Sequence, residues 1–275
     1  MSNIICVSMI LLSSCGARPC PRAPHSDATA ALDAHRDARL PAHVLRAEAR
    51  VDRRGGEGRV RGTVRMFVER PDHVRFDAMT QFGPAAVLTS DGARFALMDL
   101  RENRFFAGPT CPENIERLLG VRMSGEEVAR LLLGDSPRIE AAEQTIRCEG
   151  GVYFVTLRAE DGTRQELELA LRDDDLEAAP EQQRLRIRRS EVFGPAGTTL
   201  WRVTYADHRF VEDPTDTRSP RRGVVMPFSV RFEDPVNGVD TLVRFADIDL
   251  NVEVPQGVFQ QEPRPGLTVE PVTCR

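Results

Sequence analysis

The chain has 275 residues, 41% hydrophobic and 29% charged, enough to bury one large core or two small ones. Its 42 acidic and 37 basic side chains leave a net charge of −5, so no basic field points to a nucleic-acid partner. Every basic residue is Arg and none is Lys, which excludes Schiff-base chemistry and the phosphate-gripping lysine of P-loops and kinases.

The first element is a sorting signal. Ile4 to Leu12 is an apolar run of h-region length, too short to span a bilayer. It ends in Leu12-Ser13-Ser14-Cys15, which resembles the lipobox of bacterial lipoproteins, where cleavage precedes a Cys that then carries lipid. The segment before it, Met1 to Asn3, departs from such signals in having no Arg or Lys. We therefore expect a signal peptide at 1–14, a lipidated Cys15 with a Pro-, Ala- and Arg-rich tether at 15–26, and a folded body at 27–275. Gly16 rather than Asp after the Cys favours the outer membrane, by resemblance to proteobacterial sorting rules. The protein would then be lipid-anchored and face the periplasm.

With Cys6 cleaved and Cys15 lipidated, Cys20, Cys111, Cys148 and Cys274 remain, an even number that allows three pairings. Cys111 with Cys148 would tie a helical hairpin to the strand after it, and Cys20 with Cys274 would join the two ends of the body. The spacing is too wide for the paired ligands of a zinc site.

The body opens with a helical pattern over Asp27 to Arg39, expected outside the sheet with Ala31, Leu32 and His35 as its inner edge; Pro41 ends it. Strand patterns follow. Val60, Gly62, Val64, Met66 and Val68 alternate with Arg61, Thr63, Arg65, Phe67 and Glu69, the period of a sheet with one dry and one wet face. Val74 to Ala78, Val87 to Thr89, Phe95 to Asp99 and Arg104 to Ala107 continue as a meander with short turns.

Thr110 to Pro137 then reads as two amphipathic helices. Thr110 with Glu113, and Ser124 with Glu127, stand at capping-box spacing, and Gly120 and Gly134 are the stops. Ile115, Leu118 and Leu119, then Val128, Leu131 and Leu132, form one apolar stripe per helix. Neither helix is long enough to hold alone in water, so both must pack on the sheet as a lid.

Ile146 to Cys148, Val152 to Arg158, Leu167 to Arg172, Leu185 to Phe193 and Leu200 to Tyr205 are further strands, with an acidic excursion at 172–183. Met226 to Phe232 and Thr241 to Val254 are the last long pair. About a dozen strands predict a mainly β fold: a single curved antiparallel sheet forming an unclosed β-barrel with a helical lid.

Three suggestive strings lack the context that chemistry needs. Gly56, Gly58 and Gly62 imitate a dinucleotide-binding loop, but a strand pattern follows them instead of a helix N-terminus. Asp173-Asp174-Asp175 lacks the Gly and the closing Glu of a calcium loop. The five His residues lie apart, and no HExxH or GxSxG string occurs. No catalytic residue, metal or cofactor is assigned.

The run Arg70 to Asp99, then Arg104 to Gly108, Glu116 to Gly120, Leu131 to Pro137, Val203 to Phe210 and Met226 to Phe232, resembles the LolA/LolB superfamily, LolB more than LolA. The resemblance covers Arg46 to Asp249. A family Trp before the second helix stop is replaced by leucines, the chain is longer, and it has cysteines. The resemblance implies an unclosed barrel whose lid covers an apolar cavity for lipid acyl chains, here lined by the six stripe residues. It also implies a LolA-like periplasmic carrier, lipoprotein cargo and a monomeric receptor. A second reading on the same fold is a sensing or accessory lipoprotein that passes no cargo on. In LolB-like proteins an early loop exposes an apolar side chain before a Gly, implicated in delivery to the bilayer; Phe82, before Gly83, occupies that place.

Overall fold

Period-2 patterning builds one sheet of fourteen strands: β1 (Val44–Gly55), β2 (Gly58–Glu69), β3 (His73–Thr80), β4 (Gly83–Asp91), β5 (Arg94–Asp99), β6 (Arg104–Pro109), β7 (Glu143–Glu149), β8 (Val152–Arg158), β9 (Arg164–Ala170), β10 (Arg186–Phe193), β11 (Thr199–Glu212), β12 (Gly223–Asp234), β13 (Val239–Leu250) and β14 (Thr268–Pro271). The structure, a computed structural model, describes residues 18–56, 58–220 and 222–274. The expected signal peptide at 1–14 and the expected lipidation site Cys15 lie outside the described residues.

In space the strands run β14-β6-β5-β4-β3-β2-β1-β13-β12-β11-β10-β9-β8-β7. All neighbours are antiparallel except β14 and β6, which are parallel. β14 and β7 are the two edges, so the curved sheet is an unclosed barrel, as its alternating sequence predicts. Hairpin connections alternate between its ends. One end carries the β3–β4, β1–β2, β5–β6 and β12–β13 turns; the other carries the β7–β8 turn and the 171–185 excursion.

One face of the sheet holds the core, built by Leu45, Ala47 and Ala49 of β1, Met66 and Val68 of β2, Val74 and Phe76 of β3 and their counterparts. A register shift where β1 meets β13 lets both Phe245 and Ile248, an odd number of residues apart, face inward. Three helices pack on this face: α1 (Ala28–Asp37), α2 (Pro112–Leu119) and α3 (Gly125–Leu132). The position of α1 corrects the expectation that it lies outside: Ala28, Ala31, Leu32 and His35 are buried in the same core as the lid helices. Its start is fixed by the Asp27 carboxylate, which accepts from the Thr29 and Ala30 amides.

The last strand pair ends at Leu250, short of the expected Val254. The chain then crosses the opposite face, where Gln261 donates to the Val87 and Ala96 carbonyls and a smaller cluster of Val87, Ala96, Met98 and Phe105 is packed against Leu267.

Candidate functional site

The two lid helices have different starts. On α3 the capping box forms as expected: the Glu127 amide donates to Ser124 Oγ at 3.2 Å, and the Ser124 amide donates to Glu127 Oε2 at 2.8 Å. On α2 it does not. Cys111, whose sulfur is bonded to Cys274, is the N-cap and supplies no side-chain bond, while Thr110 lies one residue before the cap with its Oγ1 bonded to Ser90 Oγ at 2.8 Å. Pro112 occupies the first turn, where a missing N–H costs nothing.

Gly120 ends α2 with φ 65°, a left-handed conformation, and the Arg53 guanidinium of β1 lies where a side chain at 120 would stand. A cation there also faces the negative end of the α2 dipole. Sequence reasoning missed Arg53, since only the tertiary fold brings β1 to the helix end.

Ile115, Val128, Leu131 and Leu132 are buried in the main core, while Leu118 and Leu119 are half-buried at its margin. The six residues thus act together as one apolar face applied to the sheet. Two grooves of the described surface lie elsewhere. One, of about 910 Å³, runs between α1 and the excursion and is lined by His25, Ala34, Asp37, Asp174 and Glu181 among others. The other, of about 350 Å³, lies against Phe210, Phe228 and Leu250.

Where the lid ends, polar groups converge out of solvent. Asp135, just after α3, is buried with His35 and Arg39 of the α1 region and with Tyr205 of β11. Tyr205 Oη donates to the Asp135 carbonyl at 2.6 Å, and Arg138 bridges Asp135 Oδ1 at 3.4 Å and the Leu32 carbonyl at 3.1 Å. The His35 ring reaches the Leu185 carbonyl through Nδ1 at 3.0 Å, which makes Nδ1 the protonated nitrogen; Nε2 lies 3.6 Å from Asp135 Oδ1.

Burial, reinforced by the Arg39 charge and opposed by Asp135, pushes His35 down to about 4. Burial also lowers Arg39 to about 10 against the pull of Asp135, and raises the Tyr205 hydroxyl well above its usual range. The network locks α1, the lid exit and the sheet together. Among the described residues, no group of three or more His, Cys, Asp or Glu side chains could hold a metal ion.

Phe82 is 91% exposed at the β3–β4 tip. The tip is held without it: the Phe82 amide donates to Thr80 Oγ1 at 3.2 Å, Thr80 Oγ1 donates to the Gly83 carbonyl at 2.8 Å, and Gly83 takes φ 118°. The phenyl ring contributes almost nothing to the core.

The N-terminal segment departs from a free tether. From Arg18 on it is bonded to the excursion: Arg18 pairs with Asp173, Arg22 pairs with Glu177 at 3.0 Å, and the Arg22 amide donates to the Leu176 carbonyl. The disulfides are Cys20–Cys148 and Cys111–Cys274, correcting both expected pairings. The reason lies in the strand order. Cys148 is on edge strand β7 beside the N-terminal segment, whereas Cys111 follows β6, whose parallel partner β14 leads to Cys274.

No protein-family model matches the chain, and no curated protein matches it in sequence. In three dimensions it is similar to a DUF1329 family protein from Desulfovibrio piger ATCC 29098, with TM-score 0.54, 10% identity, and 86% of this chain and 98% of that chain covered. It is also similar to a LolA superfamily protein from Nitrosomonas europaea, with TM-score 0.51, 10% identity, and 86% and 99% covered. The fold is LolA-like. A structure described as an outer membrane lipoprotein-sorting protein domain, from Vibrio parahaemolyticus, matches with TM-score 0.50, 11% identity, and 85% and 97% covered. At these identities the likeness is one of fold.

Proposed function

We propose that the protein is a LolB-like lipoprotein of the outer membrane, anchored through Cys15 and facing the periplasm, that binds lipid acyl chains beneath its lid and takes part in lipoprotein localisation. In this reading a LolA-like carrier presents the lipoprotein cargo, Phe82 meets the bilayer during delivery, and no step is enzymatic. The observation that carries it is the lid: six apolar side chains on two short helices cover the core face of an unclosed sheet. A helical pair so placed can lift as a unit and leave an apolar surface for an acyl chain. The LolA-like fold supports the same reading.

Native mass spectrometry of the membrane-extracted protein tests it. Co-purified lipid, transferable to acceptor vesicles, is the expected result; absence of lipid from preparations that retain the acyl anchor refutes it. The burial of Ile115, Val128, Leu131 and Leu132 in the core favours a second reading, an accessory or sensing lipoprotein whose interior is filled by its own side chains. Bound lipid that never transfers supports the sensor, and no bound lipid supports the accessory role.

A further inference from the structure

The solvent face of the sheet carries a row of side chains that the core does not use. Thr63 of β2 stands opposite Arg50 of β1, Arg50 opposite Arg244 of β13, and Arg244 opposite Ser229 of β12. Their chain neighbours Ala49, Val64, Val230, Val243 and Phe245 face the core, so these four face away from it. Directly opposed residues have Cβ atoms about 4.5–5.5 Å apart, and like charges placed so repel.

Most other arginines of these strands are matched by acids: Arg59 and Arg61 by Asp52, Arg65 by Glu48, Arg46 by Asp249 and Arg231 by Asp240, while Arg53 is turned to the end of α2 and Arg54 makes no ion pair among the described residues. Among the described residues Arg50 and Arg244 make no such pair, and both are exposed. An oxyanion held between the two guanidinium groups removes the repulsion. The hydroxyls of Thr63 and Ser229 flank them and complete a donor set suited to phosphate.

The geometry points to this row as a docking surface for the phosphate headgroups of an anionic lipid bilayer. The neighbourhood selects a bilayer over a soluble phosphate. Met79 of β3 stands opposite Thr63 on the same face, three residues before the exposed Phe82, and exposed Val60 lies at the same end of the sheet. Of the five arginines of the β1–β2 hairpin from Arg50 to Arg61, Arg53 is turned to the end of α2 and the other four alternate onto this face against Asp52, in a chain whose net charge is −5. Cationic and apolar side chains placed together suit a lipid interface. The inference concerns the outer face of the sheet and does not depend on acyl binding beneath the lid.

The test uses the body from Arg18 to Cys274, which contains every strand, the core and both disulfides. Its sedimentation with phosphatidylcholine vesicles is compared with and without phosphatidylglycerol. Binding should require phosphatidylglycerol and fall roughly thirtyfold in the Arg50→Gln/Arg244→Gln variant, on the basis of ~1 kcal/mol for each arginine at the surface. Arg61→Gln, at a position matched by Asp52, should change it much less; an equal loss there would show bulk attraction and no site. A second variant, Arg244→Asp, replaces the repulsion with an ion pair to Arg50 and should raise the melting temperature while abolishing the phosphatidylglycerol preference.

Unchanged vesicle binding in both row variants overturns the proposal. So does Arg50- and Arg244-dependent binding of inorganic phosphate without any vesicle preference, which would assign the row to a soluble phosphoryl ligand. Native mass spectrometry of the same preparations reports acyl lipid separately, so failure here and failure of the lid reading are distinguishable.

Discussion

Lowering the pH should destabilise the protein well before its carboxylates titrate, and His35 is the reason. The ring is fully buried and is held neutral to about 4, because burial and the Arg39 charge outweigh the attraction of Asp135. In the unfolded chain a His takes its proton near pH 6.5. Between those two values the unfolded state binds a proton that the folded state refuses, so stability is fully present above about pH 6.5 and is lost as the pH falls toward about 4. The limiting slope is about 1.4 kcal/mol per pH unit for one such group, which amounts to about 2 kcal/mol between pH 7 and pH 5. His208, held to about 4 chiefly by burial and by Arg186, acts in the same direction, with a smaller share because its ring is less enclosed. Urea unfolding at a series of pH values from 7 to 5, for the parent and for His35→Gln, measures the effect. A parent profile that is flat over this range, or a variant profile as steep as the parent, would refute the reasoning.

Leu131→Ala should cost roughly 2–5 kcal/mol in urea unfolding, since Leu131 is buried in the main core and its removal leaves a cavity; a loss below about 1 kcal/mol would show a loosely filled lid. Phe82→Glu should change stability by less than about 0.5 kcal/mol, because the ring is exposed. The same substitution should weaken vesicle association or delivery by the non-acylated body, and unfolding of the domain would remove the tip from the mechanism. Ser124→Ala should cost about 1 kcal/mol through loss of the α3 capping box; an unaltered urea midpoint would mean that the cap contributes nothing. Cys15→Ala should leave the protein uncleaved or soluble, and unchanged membrane fractionation would refute lipidation.

What was legible in the sequence is what local physics encodes. Ser124 with Glu127, the left-handed Gly120, and stripes at i, i+3 and i+4 specify α3 and the end of α2 without outside help. Alternation likewise specifies an all-but-continuous antiparallel sheet. Thr110 is not the cap: the helix starts one residue later, after Cys111, and the Thr110 hydroxyl is bonded to Ser90, on a strand twenty residues earlier. The same limit hid the rest. β14 is only four residues long and pairs in parallel with β6, so its register comes from contacts far along the chain; the Cys111–Cys274 disulfide depends on that pairing. His35 and Asp135 lie a hundred residues apart and carry no spacing signal. Arg50 and Arg244 become a pair only once β1 and β13 are aligned.

The filled interior and the carrier reading are compatible if lid and ligand exchange for one another. Burial of a Leu, Ile or Val side chain contributes about 1.5–3 kcal/mol, so the four buried lid residues and the two half-buried leucines hold the lid closed with on the order of 10 kcal/mol of gross hydrophobic free energy. An acyl chain transferred to the same surface gains about 0.8 kcal/mol for each buried CH₂, so a chain of about fifteen carbons offers a similar sum. Exchange between them is then close to balanced. On the proposed function, binding would then be reversible, and its direction would follow whichever neighbour, a carrier or a bilayer, has the stronger hold on the chain. The consequence is measurable with a fluorescent fatty acid. The closed lid acts as a competitor already in place, so the apparent affinity should rise when lid contacts at the margin are trimmed, as in Leu118→Ser. Leu118 is half-buried and its change spares the main core. Affinity that stays constant in Leu118→Ser while the lid is shown by hydrogen exchange to open more often would mean that the acyl chain does not bind where the lid sits.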